Sequence, residues 1–189
     1  ELDRKLELRL WREATTIFMT AGHGGCGPYG LALSSYRRGF DLEIHVNEDG
    51  VFLVDSVRSP EKKEVMRLVQ EDWIEELSRL PVALHRGSLG VDELRQKFET
   101  GGIPLVLISS YRIYGERFPH WVVVTGFDDH CIYVHDPFVD DENGETVTDS
   151  VNMPISHREF QRMARYGKVA QKAVLILYRS NRRSEPPAT

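Results

Sequence analysis

The sequence has little cysteine and no long hydrophobic run, and each absence excludes a class of protein. Cys26 and Cys131 are the only two cysteines among 189 residues, which excludes a small domain held by several disulfides and favours a reducing compartment. No apolar run approaches the roughly 20 residues that a membrane-spanning helix needs, and no secretory signal is recognisable. We therefore predict a cytoplasmic protein without a membrane span.

Positive charge is also scarce. The chain has 24 Lys and Arg residues against 29 Asp and Glu, a formal net charge of −5, whereas a nucleic-acid partner calls for a basic stripe. The cysteines and histidines show none of the spacings expected of zinc ligands, and the acidic segment 140–149 lacks the full pattern of a calcium loop. We expect no nucleic-acid partner, no metal and no cofactor.

The length and composition suit one domain with a substantial core, since 41% of the residues are hydrophobic. We predict a single domain over residues 1–180 and a disordered polar tail at 181–189. Periodicity and capping signals predict helices at 31–38, 60–80, 91–100 and 156–166. Alternating or β-branched segments predict one or two strands within 5–19 and further strands at 40–46, 51–54, 82–84, 103–109, 119–127, 131–135 and 173–178. Because the late strands have short links, we expect an α+β fold in which an antiparallel sheet packs against helices.

One glycine-rich stretch delivers a cysteine to the start of a helix. Glycines stand at positions 22, 24, 25 and 27 around Cys26, and Pro28 suits the first turn of the helix that follows. The unpaired N–H groups and the dipole at a helix N-terminus favour a thiolate, so we expect the pKa of Cys26 to lie below the ordinary value of about 8.5. The alternative is a small buried hydrophobic residue, the commoner role of a lone cysteine.

A base for this cysteine is found on the hairpin predicted from residues 119–127 and 131–135. If the apolar faces of both strands point inward, even positions pair with even positions. A ladder centred near Asp128 then places His120 directly across from Asp136, with Cβ atoms about 4.5–5.5 Å apart. A histidine held by a carboxylate is the arrangement that activates a nucleophile. Taken singly, His120 also fits an ordinary strand end, and Asp136 the start of an Asp-Pro turn.

Three blocks of sequence together resemble a known family: Cys26-Gly27-Pro28, the segment His120–Phe127 and the segment Tyr133–Pro137. They are similar to the peptidase C-39 group, papain-like cysteine peptidases whose best-known members remove leader peptides from bacteriocin precursors after a double glycine. The resemblance is closest to the C-39-like domains of bacterial proteins, some of which are joined to an N-acetyltransferase domain. It extends over nearly the whole chain.

The resemblance implies a papain-like fold in which the helix after the nucleophile packs on the sheet. It implies Cys26 as nucleophile, His120 as general base and Asp136 as the residue that orients the imidazole. It also implies a peptide substrate, and a neighbouring acetyltransferase domain or protein as a candidate partner.

The sequence departs from the family pattern at two positions. The family carries a glutamine six residues before the cysteine, which donates to the oxyanion, and this chain has Thr20 there. The residue just before the cysteine is often aspartate, and here it is Gly25. We therefore expect the Cys26 backbone N–H and a side chain from Thr20 or His23 to meet the oxyanion, beside a substrate that approaches over Gly25.

These observations lead us to expect a cysteine-dependent peptidase or amide hydrolase that acts on a peptide, with leader-peptide processing as one such role. Two alternatives stay open. One is a peptide-binding module of the same fold that does not cleave, which the loss of the glutamine at Thr20 favours. The other is a thioester-mediated acyl or amide transferase, in which an amine replaces water.

Overall fold

The computed structural model describes residues 3–19, 22–48, 50–116 and 118–180. Its main sheet has seven strands in the order β4-β3-β9-β5-β6-β7-β8, and a separate ribbon pairs β1 with β2. The strands are β1 Phe18–Met19, β2 Gly22–His23, β3 Phe40–Val46, β4 Ala83–Arg86, β5 Ile103–Ser109, β6 Pro119–Phe127, β7 Cys131–His135, β8 Met153–Ser156 and β9 Ala173–Arg179. The helices are α1 Arg4–Ala14, α2 Pro28–Arg37, α3 Pro60–Ser78, α4 Val91–Glu99, α5 Tyr111–Tyr114 and α6 His157–Met163.

The α+β prediction is confirmed, and helices cover both faces of the main sheet. Successive strand residues point to opposite faces. Leu107 and Leu175 pack in one buried cluster with α2 and α3. Val106 and Val174 pack in a second cluster with α4 and α6. The helix after Cys26 therefore lies on the sheet, which positions the loop before it.

One strand pair corrects the expectation of a wholly antiparallel sheet. β3 and β4 are parallel, with His45 paired to His85, while the other pairs described in this sheet are antiparallel. The 19-residue helix α3 lies between β3 and β4 in sequence. A connection of this length returns the chain to the starting end of the sheet, which a parallel pair requires.

The first element also differs from its prediction. Residues 4–14 form helix α1, not a strand, and the Asp3 side chain caps it by accepting a hydrogen bond from Leu6 N at 2.7 Å. The alternation of leucine and charged residues resembles a strand, but Leu8 is 51% exposed while Ala14 is fully buried. The burial of Ala14 against α2 favours a helix more strongly than the alternation of leucine and charged residues favours a strand.

Three further differences are local. Residues 51–53 form an irregular segment, not a strand, followed by a 3₁₀ turn at Val54–Ser56. The Gln70 side chain satisfies the Phe52 backbone, accepting from its N–H at 2.7 Å and donating to its carbonyl at 2.9 Å. Strand β8 and the short helix α5 are absent from the sequence prediction. The tail at 181–189 lies outside the described residues.

No helix within the described ranges is both long and apolar enough to cross a membrane.

Candidate active site

The loop before α2 is fixed by hydrogen bonds from α1 and the segment after it. The Gly24 carbonyl accepts from Trp11 Nε1 and from Thr15 Oγ1, both at 2.9 Å. The Gly25 carbonyl accepts from Thr16 N at 2.9 Å, and Gly27 N donates to Ala14 O at 2.9 Å. Helix α1 thus ends in a scaffold for the cysteine loop.

Glycine is required at position 24 because the chain passes too close for a side chain. A Cβ placed there would lie 2.5 Å from Ile17 N. Gly27 is the N-cap of α2 and Pro28 is its first residue, so Cys26 stands one residue before the N-cap. The prediction that Cys26 lies beside a helix N-terminus is confirmed.

His120 and Asp136 are joined by a hydrogen bond. The distance from His120 Nε2 to Asp136 Oδ1 is 2.5 Å. The Asp136 side chain is fully buried and the His120 side chain is 12% exposed. The same carboxylate oxygen accepts from Phe138 N at 2.9 Å, which fixes its orientation. Because Nε2 faces the carboxylate, Nδ1 is the ring nitrogen left to accept a proton.

The strand register that brings the pair together differs from the expected one. Val124 pairs with Val134 and Val123 with His135, which places His120 diagonally from Asp136 and not directly across. Toward the turn, Phe127 pairs with Ile132, so the register shifts by one residue at a bulge between Val124 and Gly126. At the turn an odd position of β6 pairs with an even position of β7. The extra residue at the bulge reverses this alternation, so near His120 even positions pair with even positions and lie on the same face.

Cys26 and His120 line one cavity of about 380 Å³, whose other walls are mostly apolar. Trp121, the residue after His120, donates from Nε1 to the Cys26 carbonyl at 2.9 Å. This bond ties the loop on α2 to strand β6. In the described parts of the chain the Cys26 sulfur makes no hydrogen bond to His120, and the Cys26 N–H has no acceptor. Hydrogen bonds of this kind often close only when substrate is bound.

A family model described as "Peptidase_C39 like family" matches residues 1–178. The chain belongs to this peptidase C39-like family. No curated protein and no solved structure is significantly similar to it.

In this C39-like chain His23, one of the residues expected at the oxyanion, is not among the residues that line the Cys26 cavity. Thr20 falls outside the described residues. His23 lies on β2, exposed, with its ring edge-on to Trp11 at 6.0 Å between centroids. Gly25 lines the cavity with Cys26, and its N–H is directed at the Met19 sulfur at 3.1 Å. The Cys26 N–H remains the described donor nearest to the thiol in sequence.

Two aromatic rings pack against His120 and a third packs against one of them, and the sequence analysis missed all three. The rings of Tyr114 and Phe118 both meet the His120 ring edge-on at 6.2 Å, and Phe138 meets Tyr114 at 5.0 Å. Burial and the nearby Asp136 carboxylate raise the pKa of Tyr114. Rings that exclude water strengthen a hydrogen bond between a carboxylate and an imidazole.

The expected low pKa of the cysteine is contradicted. Burial raises the pKa of the Cys26 thiol to about 11. A helix N-terminus contributes about 0.3–1 kcal/mol in favour of the thiolate, which corresponds to less than one pKa unit. The effect of burial on the pKa therefore outweighs that of the helix N-terminus, and the site favours the neutral thiol.

The neutral thiol predicts slow alkylation. With Cys131 replaced by alanine, the rate at which iodoacetamide modifies Cys26 should still be rising at pH 9 and reach half its maximum near pH 11, because only the thiolate reacts. At pH 8 the rate should be at least tenfold below that of a free cysteine peptide. Measurement by intact mass across pH 5–11 checks this. A plateau already present at pH 6 would show a thiolate–imidazolium pair and contradict it.

Proposed function

We propose that this C39-like protein is a cysteine-dependent peptidase or amide hydrolase of papain-like fold that acts on a peptide, with leader-peptide processing as a role. One observation carries the proposal. His120 is hydrogen-bonded to Asp136, and it lines the same cavity as Cys26, which stands just before α2. Family membership supports it.

The chemistry follows from the two ring nitrogens of His120. Asp136 accepts from Nε2, so Nδ1 carries the lone pair and takes the proton of the Cys26 thiol as sulfur attacks the peptide carbonyl. The Cys26 N–H faces the developing oxyanion. His120 then returns the proton to the leaving amine, leaving a thioester. Water, deprotonated by His120, releases the acid and restores the thiol.

The high pKa of Cys26 fits proton transfer during attack, not a preformed ion pair. A half-buried thiol of raised pKa is a poor nucleophile until His120 can accept its proton. Substrate must therefore bring sulfur and imidazole together, and a peptide that covers the open, mostly apolar cavity would exclude water from them.

A covalent trap tests the proposal. The protein is incubated with an activated ester of a peptide, and its intact mass is followed over time. We expect an acyl adduct on Cys26 that disappears with release of a free acid. Release as an amide after adding an amine would indicate the transferase, and no adduct with peptide still bound would indicate the binding module.

The binding module is the second candidate because a half-buried thiol of raised pKa favours it. Fluorescence titration with the same peptide, using the Cys26→Ser variant as the control, measures binding without reaction. Unchanged binding alongside an absent adduct in the parent protein would support this alternative over hydrolysis.

A further inference from the structure

Two histidines and a glutamate that play no part in this chemistry lie together at the β4 edge of the sheet. Glu43 and His45 are two residues apart on β3 and so share a face. His85 on β4 is the register partner of His45 in the parallel pair. The three side chains therefore project from one patch of one face, although His45 and His85 are far apart in sequence.

The three side chains already approach the spacing of metal ligands. Glu43 Oε2 lies 3.0 Å from His45 Nε2 and 3.8 Å from His85 Nε2. All three ligand atoms lie within 4.8 Å of one another. Ligands arranged tetrahedrally at about 2.0–2.1 Å from zinc are about 3.3 Å apart. The His45 and His85 rings are stacked, with 4.5 Å between their centroids and 14° between their planes, so the half-exposed His85 ring must turn for its nitrogen to face an ion held by the other two residues.

A cation already occupies the carboxylate. Lys97 Nζ lies 2.7 and 3.0 Å from the two oxygens of Glu43, and the Tyr178 hydroxyl lies 3.1 Å from Oε1. Lys97 is on the last turn of α4 with its side chain 33% exposed, so its ammonium can move into solvent. The fold thus maintains a place for positive charge between α4 and β3.

We propose that Glu43, His45 and His85 form a binding site for a divalent transition-metal ion, with Zn²⁺ as the expected occupant. Two imidazoles and one carboxylate suit zinc, and the half-exposed His85 leaves the fourth position open to water. None of the three residues is among those that line the Cys26 cavity. The sequence analysis expected no metal because it searched for closely spaced ligands, and strand pairing supplies this set.

The test is a calorimetric titration with Zn²⁺ alone. The whole chain carrying Cys26→Ser is the starting protein, because the thiol beside His120 can itself bind zinc. We expect one Zn²⁺ per chain, and about 100-fold weaker binding after His45→Ala or His85→Ala. Lys97→Met should tighten binding, because it removes the competing ammonium. His130→Ala, at an exposed hairpin tip, is the matched control and should change nothing.

Two outcomes would overturn the proposal: no binding to the Cys26→Ser protein, or binding that survives both histidine changes. Circular dichroism and thermal unfolding in chelator establish that each variant is folded before it is titrated. Co²⁺ provides an independent readout, since tetrahedral nitrogen and oxygen ligands give visible bands without the near-ultraviolet bands of a thiolate ligand. Thiolate bands in the parent that persist after His45→Ala would place the metal on cysteine. Because only binding is measured, failure of the peptidase proposal leaves this result unaffected.

Discussion

Replacing Cys26 with alanine is expected to lower kcat for hydrolysis of a cleaved peptide or activated ester by about 10⁶, leaving only the residual rate that substrate binding and the oxyanion donor supply. Loss of the nucleophile in a hydrolase of this type has an effect of that order, because no other group can form the acyl intermediate. The Cys26 side chain faces a cavity with His120, and its backbone is held by Trp121, so alanine should leave the fold intact. Chromatographic measurement of product over days, against a protein-free blank, checks the size of the loss.

Two further variants make this result specific. Cys131→Ala, on strand β7, should retain the parent rate. His120→Ala should lose nearly as much as Cys26→Ala, and the double variant no more than either, because nucleophile and base act as one unit. Losses that multiply in the double variant would show that His120 and Cys26 act independently. A Cys26→Ala protein that still cleaves would exclude the thiol mechanism.

Replacing Gly30 with alanine is expected to destabilise the protein by about 2 kcal/mol. In an exposed helix interior the same change stabilises by about 1 kcal/mol, because alanine is the better helix former. Here a Cβ on Gly30 would lie 2.7 Å from the Ala14 Cα and 2.8 Å from the Trp73 ring. Helices α1 and α2 would have to separate, and overpacking of this kind typically costs about 1–3 kcal/mol.

Urea or thermal unfolding measures this change, with a midpoint about 4–8 °C lower for a chain of this size. Gly126→Ala is the matched control, because a Cβ there meets the Tyr133 ring at an ordinary 3.7 Å. We expect its stability within about 0.5 kcal/mol of the parent. An increase in stability for Gly30→Ala would mean that α1 does not pack on α2 as described.

Several strands were predicted with their observed bounds because the residue pattern that indicates a strand lies within each of them. The strands at 40–46, 103–109, 119–127 and 131–135 are examples, because alternation and β-branched runs are local properties. Helix α1 was missed because its leucines alternate, while what decides its structure is the contact of Ala14 with α2. The Asp3 cap was the local signal that could have identified it.

The candidate site was predicted in part. Even positions of β6 and β7 do share a face near His120, but the register differs by two residues, because nothing in the sequence marks an extra residue beside Gly126. The pKa of Cys26 could not be predicted from its place before a helix. It depends on the burial of the thiol, which is set by packing among elements distant in sequence.

Strand β9 lies between β3 and β5 and is hydrogen-bonded to both. It follows the other described strands in sequence, so the β4–β3 half of the sheet, on which α2 rests, and the half that carries His120 are joined by the last described strand to be synthesised. On the ribosome, the loop of Cys26 and the hairpin of His120 therefore have no common sheet until residues 173–179 have emerged. Cys26 and the base proposed for it therefore come to lie on one sheet only after residues 173–179 have been synthesised, and the candidate site cannot assemble on the ribosome before then.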